Sequence, residues 1–452
     1  MAARFTAQEV RQALGLPDDG VAGDFSSVST DTRDLEAGSL FVALRGERFD
    51  GGDFLEQAEQ MGAAGAVVSL PSRHADVALP MFPVPDTTAA LGDLARYYRR
   101  RCAARVVGVT GSSGKTTVKE MLTLALGSER QVHASRGNLN NQVGLPLSIL
   151  AADIDADVWV LELGTSEPGE IRRLTGIAEP DDAVITTVGP AHLEGLGDLA
   201  GVLEEKLDLL RGASASGCAV VGELPEELPT RARELRADVV TAGLGAGSDF
   251  RPSDWQVGAE HARFTIEGVD YSVPVGGEHH LRDALIAAAA AAGLGVSPAG
   301  VTRGLADYRP VGMRGALIQA GKLTIVADCY NANPESFAAA IRYCSDAFAG
   351  RRIAAVVGSM LELGAVESAA HEQVANDLLR AGFTFVVALG AFQQAFRELS
   401  LPENVTVLYP DSVSDAAAAL SGGLVGDEVL LVKASRGMRL EGVIESLTGG
   451  DG

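Results

Sequence analysis

Short segments that are almost entirely apolar recur along most of the chain, and amphipathic segments separate them. Beyond residue 105 the apolar segments fall at residues 106–109, 158–161, 183–186 and 219–221, and then at 323–327, 353–357, 385–389, 405–408 and 429–432. Strands that are apolar on both faces and alternate with helices are typical of parallel sheets that helices cover on both sides. The pattern therefore predicts an α/β fold.

Two breaks in this pattern divide the chain into three predicted domains. Residues 24–85 contain short strands and helices, and the amphipathic segment 87–101 ends in three consecutive arginines before a new strand begins. The second break, YRPVG at residues 308–312, follows an alternating, hairpin-like segment and an alanine-rich helix. We predict a small N-terminal α/β domain in residues 1–100, a central domain with a mostly parallel sheet in residues 101–311, and a Rossmann-like α/β domain in residues 312–452.

Composition and charge narrow the class of protein. The chain has 452 residues, and its 37 Lys and Arg against 60 Asp and Glu give a net charge of −23. Such a field repels nucleic acid and anionic membranes, and no apolar run approaches the roughly 20 residues that a spanning helix needs. The four cysteines lack a CxxC pair, as is typical of reduced thiols, and no apolar leader is present. We therefore expect a cytoplasmic protein that binds neither nucleic acid nor membrane.

A glycine-rich segment with a lysine, GVTGSSGKTT at residues 108–117, follows the first strand of the predicted central domain and opens a helix. In this context backbone N–H groups and a helix N-terminus converge on phosphates, while Lys115 supplies a positive charge and Thr116 a hydroxyl for Mg²⁺. Val109 stands where the strict pattern has its first glycine, so we expect Gly111 to make the close approach. ATP is the expected ligand, but the loop alone leaves kinase, GTPase, motor and ligase activities open.

Three further side chains are candidates for a metal site. Glu162 ends a buried strand, where a carboxylate is costly unless it is paired or bound to a metal, so Mg²⁺ coordination is favoured. His192 follows the next strand, and Lys206 lies in a charged stretch of a predicted helix. For these two residues, spacing alone favours a loop histidine and a solvated helix face.

Motifs spread over nearly the whole chain resemble those of the Mur ligase superfamily, which includes the peptidoglycan precursor ligases and folylpolyglutamate synthetase. Besides residues 108–117, they are STDTR at 29–33, LFVALRGERFDG at 40–51, GNLNNQVGLP at 137–146, LELG at 161–164, HLEG at 192–195 with Lys206 downstream, RPVGMRG at 309–315, DCYNANP at 328–334, GSMLELG at 358–364 and KASR at 433–436. The pattern is most similar to the ligases that join D-alanyl-D-alanine to a UDP-linked muramoyl tripeptide. The resemblance implies an ATP-dependent amide ligase of peptidoglycan precursor synthesis that acts through an acyl phosphate, with a uridine-nucleotide-binding N-terminal domain, a phosphate-loop ATPase central domain and a monomeric state.

The resemblance also implies roles for individual residues. The ATP phosphates would be held by Gly111, Ser112, Ser113, Gly114, Lys115, Thr116 and Thr117, and the nucleotide would also meet Asp283, Arg314, Asp328 and Asn331. Thr116 and Glu162 would hold one Mg²⁺, and His192 with a carbamylated Lys206 a second, which makes Lys115, Glu162, His192 and Lys206 the catalytic residues. The two substrates would meet Asp31, Thr32, Arg33, Asn138, Asn141, Lys433, Ser435 and Arg436, the first three at the uridine diphosphate end.

Three positions depart from the family pattern. Asp283, four residues after His279, stands where the family usually has an asparagine near adenine. Gly52 stands where a histidine is common in the family, and Ser359 stands where an aspartate is common. The alternatives are a sister ligase that adds a single amino acid, a folylpolyglutamate synthetase-like enzyme, and a nucleotide-binding partner without catalysis. The N-terminal motifs and residues 331–334 argue against the folate enzyme, and the retained catalytic set argues against the inactive partner.

Overall fold

The N-terminal part of the chain forms a small parallel sheet. The structure, a computed structural model, describes residues 3–46, 49–70 and 77–449, so Glu47 and Arg48 of the motif at residues 40–51 lie outside the described residues. The elements are β1 (Phe5–Thr6), α1 (Ala7–Leu14), β2 (Asp24–Phe25), β3 (Val28–Ser29), β4 (Leu40–Val42), α2 (Leu55–Gln60), β5 (Gly65–Ser69), β6 (Met81–Val84) and α3 (Thr87–Arg101). Strands β3 to β6 pair in sequential order and in parallel, and β1 pairs with β2 separately.

The central part is built on a six-stranded sheet, β12-β11-β10-β7-β9-β8, whose strand pairs are all parallel, as predicted. Its strands are β7 (Arg105–Thr110), β8 (Val132–Ala134), β9 (Val158–Glu162), β10 (Asp182–Ile185), β11 (Ala219–Gly222) and β12 (Val240–Ala242). An antiparallel sheet of β13 (Asp254–Val257), β14 (Ala262–Ile266) and β15 (Val269–Val273) contains the predicted hairpin. The helices are α4 (Lys115–Gly127), α5 (Gly144–Leu150), α6 (Glu170–Ala178), α7 (Leu193–Leu196), α8 (Leu199–Gly212), α9 (Glu227–Leu235), α10 (Glu278–Gly293) and α11 (Pro298–Ala306).

The C-terminal part contains a second six-stranded sheet, β16-β17-β21-β18-β19-β20. Its strands are β16 (Ala316–Ala320), β17 (Leu323–Asp328), β18 (Ile353–Val357), β19 (Phe383–Ala388), β20 (Thr406–Leu408) and β21 (Val429–Lys433), and its helices are α12 (Pro334–Ala347), α13 (Glu367–Arg380), α14 (Ala391–Arg397), α15 (Val413–Gly423) and α16 (Glu441–Thr448). The apolar-run pattern missed β16 because this edge strand is only half-buried, and it pairs antiparallel with β17. The predicted Rossmann-like α/β class is confirmed for the remaining parallel strands.

Alternate residues of the central strands enter different cores. Val106 packs into a core shared with α3 and α5, whereas Val107 and Val109 pack against α4 and α10. Helix α3 is tied to the central part, since the hydroxyl of Tyr98 donates to the carbonyl of Ala152 at 2.9 Å and its ring stacks on Trp159. The N-terminal and central parts therefore share one apolar core, while the domain boundaries at residues 100 and 311 stay predictions.

Helix lengths and cysteine states complete the description of the fold. Among the helices of the described ranges, none has both the length and the apolar composition that a bilayer crossing requires. All four cysteines carry free thiols, with Cys102, Cys329 and Cys344 buried and Cys218 half-buried. The fold therefore draws its stability from its cores, without disulfide bonds among these residues.

The crossing of α11 over α4 provides a test of the packing. A Cβ at Gly304 would lie 2.4 Å from the Cα of Ala125, so Gly304→Ala should destabilise the central domain by about 1–3 kcal/mol through overpacking. At Gly127, the exposed last residue of α4, an added methyl group would meet no atom within 4 Å, and Gly127→Ala should be neutral or stabilise by about 0.5–1 kcal/mol. Urea unfolding followed by circular dichroism measures both; equal effects of the two substitutions would contradict the close crossing.

Candidate active site

A cavity of about 870 Å³ opens between the carboxyl ends of the central strands and the C-terminal part. The predicted nucleotide residues from Ser112 to Thr117 line it, together with Asp283, Arg314, Asp328 and Asn331. So do the predicted metal residues Glu162 and His192 and the predicted substrate residues Asn138, Asn141, Lys433, Ser435 and Arg436. Residues that lie more than 300 positions apart in the sequence therefore face one space.

The parallel register explains why these groups meet. Val109 pairs with Glu162 of β9, and Thr110 pairs with Ile185 of β10, so the three strands end at the same edge of the sheet. The chain leaves β7 for β8 and β9 on one side and returns to β10 on the other side. Such a switch point opens a crevice at the carboxyl ends of the strands, which is where open α/β sheets bind ligands.

The glycine-rich loop has the geometry of an anion site. Gly111 and Gly114 have φ angles of +153° and +80°, and a Cβ at position 111 would lie 1.9 Å from Thr186 Oγ1. A side chain at position 111 would therefore collide with Thr186, and the approach of Gly111 to a phosphate stays a prediction. Helix α4 begins directly after Gly114 without a side-chain cap, so the N–H groups of its first turn are free to bind phosphate oxygens.

The side chain of Lys115, the first residue of α4, points back over this loop. Its Nζ donates to the carbonyl oxygens of Gly111 at 2.8 Å and Ser112 at 3.3 Å. Burial lowers the pKa of Lys115, and the nearby Glu162 carboxylate acts in the opposite direction. The ammonium group thus lies at the loop, where it can bind phosphate oxygens.

Glu162 is held in one orientation by two hydrogen bonds. Thr116 Oγ1 donates to its Oε2 at 2.7 Å, and Asn140 Nδ2 donates to its Oε1 at 2.8 Å. Glu162 is 1% exposed, and no ion pair holds its carboxylate among the described residues. An oriented, buried carboxylate beside a phosphate loop fits a divalent cation, with Thr116 as the neighbouring oxygen ligand.

Two basic side chains, His192 and Lys206, lie near Lys115. His192 has a left-handed backbone conformation (φ 54°), and its Nδ1 is hydrogen-bonded to the carboxylate of Glu362 from the C-terminal part. Lys206, on α8, is 1% exposed and forms no ion pair among the described residues. Burial lowers the pKa of His192 and lowers the pKa of Lys206 far more, and Lys115 adds to both shifts.

The predicted metal residues include one carboxylate, that of Glu162. Across residues 3–46, 49–70 and 77–449, no three or more His, Cys, Asp or Glu side chains are grouped closely enough to hold a metal ion. Thr116, Glu162 and His192 fit as ligands, but they supply a single carboxylate. Burial lowers the pKa of Lys206 and so favours its neutral amine.

The C-terminal part presents an ion pair and a stacked arginine to the cavity. Lys433 Nζ donates to Asp328 Oδ2 at 2.6 Å and to the carbonyl of Asn331 at 3.3 Å, because β17 and β21 place Asp328 beside Lys433. The guanidinium of Arg314 lies 3.6 Å from the centre of the Tyr330 ring. Asp328 and Lys433, which the sequence assigned to different ligands, therefore act as one unit.

Two predicted substrate residues also have local structural contacts. The hydroxyl of Ser435 accepts from the N–H of Leu361 at 3.0 Å and donates to the carbonyl of Ala332 at 3.3 Å. Asn141 Oδ1 accepts from the N–H of Gly144 at 2.8 Å, at the start of α5. These contacts hold the loops of the cavity wall.

The predicted uridine residues lie outside this cavity. Asp31 and Arg33 form an exposed ion pair, and Thr32 donates to Gln57 Oε1 at 3.0 Å. The Arg33 guanidinium lowers the pKa of Asp31 to about 2. The structure therefore does not bring residues 31–33 together with the phosphate loop.

Two buried carboxyl groups, Asp283 and Glu335, lie against the loops of the site. A Cβ at Gly114 would lie 2.3 Å from Asp283 Oδ1, and a Cβ at Gly189 would lie 2.1 Å from Glu335 Oε2. Burial raises the pKa of both groups, and Glu335 raises that of Asp283 further. Asp283 is therefore a neutral, protonated acid over a wider range of pH than an ordinary aspartate.

Comparison with known proteins agrees with this geometry. Family profiles match at residues 24–99 (Mur ligase family, catalytic domain), 109–291 (Mur ligase middle domain) and 313–436 (Mur ligase, glutamate ligase domain). UDP-N-acetylmuramoyl-tripeptide--D-alanyl-D-alanine ligase from Bacillus subtilis is 37% identical over 93% of this chain and 92% of its own length. The chain belongs to the Mur ligase family.

Solved structures of this family have the same architecture. MurF from Acinetobacter baumannii superposes with a TM-score of 0.88 at 30% identity, over 99% of both chains. MurF ligase from Thermotoga maritima, solved in complex with ADP, superposes with a TM-score of 0.83 at 29% identity over 94% of this chain and 97% of its own. The three-domain Mur ligase fold that the motifs implied is thereby confirmed.

Sequence reasoning missed several residues at the site of this Mur ligase. Asn140, Asn333, Glu335 and Glu362 all line the cavity. Asn333 Nδ2 donates to Ser113 Oγ at 3.2 Å and so joins the C-terminal domain to the phosphate loop. The signal for Asn140, Asn333 and Glu362 was their position within the quoted motifs, whereas Glu335 lies one residue beyond a motif and gave none.

Asp283 makes the stability of this Mur ligase depend on pH. Its raised pKa means that the folded chain keeps a proton that the unfolded chain loses above a pKa of about 3.9, so stability falls as pH rises from there towards the folded pKa. Asp283→Asn should remove this loss and exceed the parent in stability by about 1–3 kcal/mol at pH 8, with a smaller difference at pH 4. Urea unfolding at both pH values measures the effect.

The matched control for this prediction is Asp254→Asn, which changes an exposed acid on β13. Its stability difference from the parent should stay within about 0.5 kcal/mol at both pH values. A pH-independent effect of Asp283→Asn would show that Asp283 is ionised in the folded protein.

Proposed function

We propose that this Mur ligase joins D-alanyl-D-alanine to UDP-N-acetylmuramoyl-tripeptide with conversion of ATP to ADP and phosphate, a step of peptidoglycan precursor synthesis. The similarity to ligases of that activity supports the choice of substrates. The observation that carries the proposal is the meeting of the phosphate loop, Glu162 and His192 in one cavity that the C-terminal domain covers.

Amide formation needs an activated acid, because a carboxylate repels an incoming amine and hydroxide leaves poorly. Transfer of the γ-phosphoryl group to the carboxylate of the tripeptide gives an acyl phosphate, and the neutral amine of D-alanyl-D-alanine then displaces phosphate. Bringing a carboxylate against a triphosphate crowds negative charge in a cavity of low polarity. The Lys115 ammonium and the free N–H groups of α4 stabilise that charge, and they are preorganised for it.

We propose that Thr116 and Glu162 hold one Mg²⁺ and that His192 with Lys206 holds a second. Bound Mg²⁺ would neutralise the crowded oxygens and orient the transferred group. The two hydrogen bonds to Glu162 fix its carboxylate before any ligand arrives. The side chain of Glu162 therefore needs no rearrangement to serve as a ligand.

We further propose that Lys206 is carbamylated. A neutral amine attacks carbon dioxide to form a carbamate and release a proton, and burial without an ion pair lowers the pKa of Lys206 and so favours its neutral amine. The product turns a cation that burial disfavours into an anionic ligand beside His192.

The acyl phosphate must be protected from water. The C-terminal domain covers the phosphate loop through Asn333 and Ser113, and Glu335 lies against Gly189. We propose that Arg314, Asp328 and Asn331 bind the nucleotide from this domain and that Asn138, Asn141, Lys433, Ser435 and Arg436 face the substrates. Asp31, Thr32 and Arg33, outside the cavity, would bind the uridine diphosphate end, and the enzyme would act as a cytoplasmic monomer.

A substrate panel tests the activity. Phosphate release should require ATP, the UDP-linked tripeptide and D-alanyl-D-alanine together, and single amino acids or folate with glutamate should give at most about 1% of that rate, because a site that pairs with the dipeptide amide rejects shorter amines. An ¹⁸O label in the tripeptide carboxylate should appear in the released phosphate, as mass spectrometry can show. Turnover with one amino acid but not with the dipeptide would assign a sister ligase, and unlabelled phosphate would contradict the acyl phosphate.

Lys206→Ala tests the carbamate. The ligation rate should fall by roughly 100-fold or more, since an anionic ligand is lost, and added acetate or formate should restore part of it. Lys119→Ala is the matched control, because Lys119 is also buried but donates to the carbonyl of Ser135 at 2.6 Å and pairs with Glu120. Any loss of ligation rate in Lys119→Ala should not be restored by acetate or formate. A Lys206→Ala enzyme as active as the parent would remove Lys206 from the mechanism.

A further inference from the structure

The C-terminal domain reaches the central domain at a second point beside the phosphate loop. The loop after β18 brings Glu362 to His192, where its carboxylate is hydrogen-bonded to the imidazole Nδ1. The backbone N–H of Glu194 also donates to the carbonyl of Glu362 at 3.3 Å, and Gly364 lies against Glu194. Side-chain and main-chain contacts thus join the same two loops across the domain boundary.

Both partners hold an uncommon backbone conformation at this contact. His192 and Glu362 have φ angles of 54° and 64°, in the left-handed region that residues other than glycine rarely adopt. Each such residue costs about 1 kcal/mol or more and persists where its surroundings fix it. The pairing of two such residues across a domain boundary indicates a defined contact between these loops.

The hydrogen bond determines which imidazole nitrogen can bind a metal. A carboxylate accepts hydrogen bonds, so Nδ1 of His192 carries the proton in this contact, and in the neutral imidazole Nε2 keeps the lone pair. Nε2 has no hydrogen-bond partner among the residues that the structure describes, and His192 lines the cavity. Metal-binding histidines are commonly oriented by a carboxylate on the opposite nitrogen.

We propose that Glu362 is a positioning residue that makes His192 a metal ligand when the C-terminal domain docks. The proposal rests on the metal role of His192 in the proposed function. In this arrangement the orienting carboxylate belongs to one domain and the ligand belongs to the other. Metal affinity at His192 therefore depends on docking of the C-terminal domain, and metal binding in turn favours the docked state.

If Glu362 and His192 formed only a surface ion pair, its removal would change the stability of the protein little. The side chain of Glu362 is 54% exposed, and pairs of that kind contribute about 0–1 kcal/mol. An orienting role predicts instead a loss of metal affinity that a neutral hydrogen-bond acceptor at position 362 can prevent. Glu362→Gln keeps an acceptor oxygen and removes the charge, whereas Glu362→Ala removes both.

The test is a titration of the full chain with Mn²⁺ in the presence of the non-hydrolysable ATP analogue AMP-PNP, followed by electron paramagnetic resonance. The parent should bind two Mn²⁺ ions. Glu362→Ala should raise the Mn²⁺ dissociation constant of the weaker site by about 10-fold or more and leave that of the tighter site unchanged. Glu362→Gln should keep both dissociation constants within about threefold of those of the parent. Glu367→Ala, which removes an exposed acid five residues away, should bind both ions as the parent does.

A double-mutant cycle with His192→Ala separates positioning from a general structural effect. If Glu362 acts through His192, the double variant should bind Mn²⁺ no more weakly than His192→Ala alone. Each of three outcomes would overturn the proposal. They are Mn²⁺ dissociation constants that do not change in Glu362→Ala, losses of Mn²⁺ affinity that add in the double variant, and binding of a single Mn²⁺ by the parent. Circular dichroism confirms that each variant is folded.

The titration needs no muramoyl substrate, so its outcome is separate from that of the substrate panel. A parent that binds two Mn²⁺ ions with the predicted variant effects, but does not ligate the dipeptide, would contradict the ligase assignment and leave the role of Glu362 standing. A parent that ligates the dipeptide, together with a Glu362→Ala variant that binds Mn²⁺ as the parent does, would support the ligase assignment and contradict the role of Glu362.

Discussion

Parallel pairing of β7 with β9 and β10 is the constraint on which the site depends. The register sets Glu162 beside Val109 and ends β10 level with the start of the glycine-rich loop. A shift of one residue would turn Glu162 to the opposite face of the sheet, away from Thr116. The apolar side chains on both faces of these strands resist such a shift, because each face packs into its own core. The geometry of the charged groups is therefore fixed by apolar packing.

Charge balance in the cavity differs from that of the whole molecule. The chain carries a net charge of −23, yet Lys115, Lys206 and His192 lie close enough together that Lys115 lowers the pKa of the other two. Basic groups gathered at the phosphate loop suit a polyanionic ligand that the rest of the surface would repel. Burial and the same crowding lower the pKa of Lys206 and so favour its neutral form.

Local features of the sequence were predictable, and contacts between distant residues were not. The strands with continuous apolar runs, the phosphate loop and the position of Glu162 follow from patterns within a few residues, and the structure bears them out, whereas the short strands β8 and β12 were not predicted. The pairings of Asp328 with Lys433 and of His192 with Glu362 join residues 105 and 170 positions apart, so no local pattern contains them. Edge strand β16 was missed because its half-buried residues lack a continuous apolar run.

Asp283 shows why a departure from a family pattern does not by itself remove a function. An asparagine side chain offers a carbonyl acceptor and an N–H donor, and a protonated aspartic acid offers a carbonyl acceptor and an O–H donor in nearly the same shape. Burial and the neighbouring Glu335 raise the pKa of Asp283 and so favour the protonated form. The surroundings of position 283 therefore favour the form of aspartic acid that has the hydrogen-bonding groups of an amide, and the retained Lys115, Glu162 and His192 agree with an active enzyme.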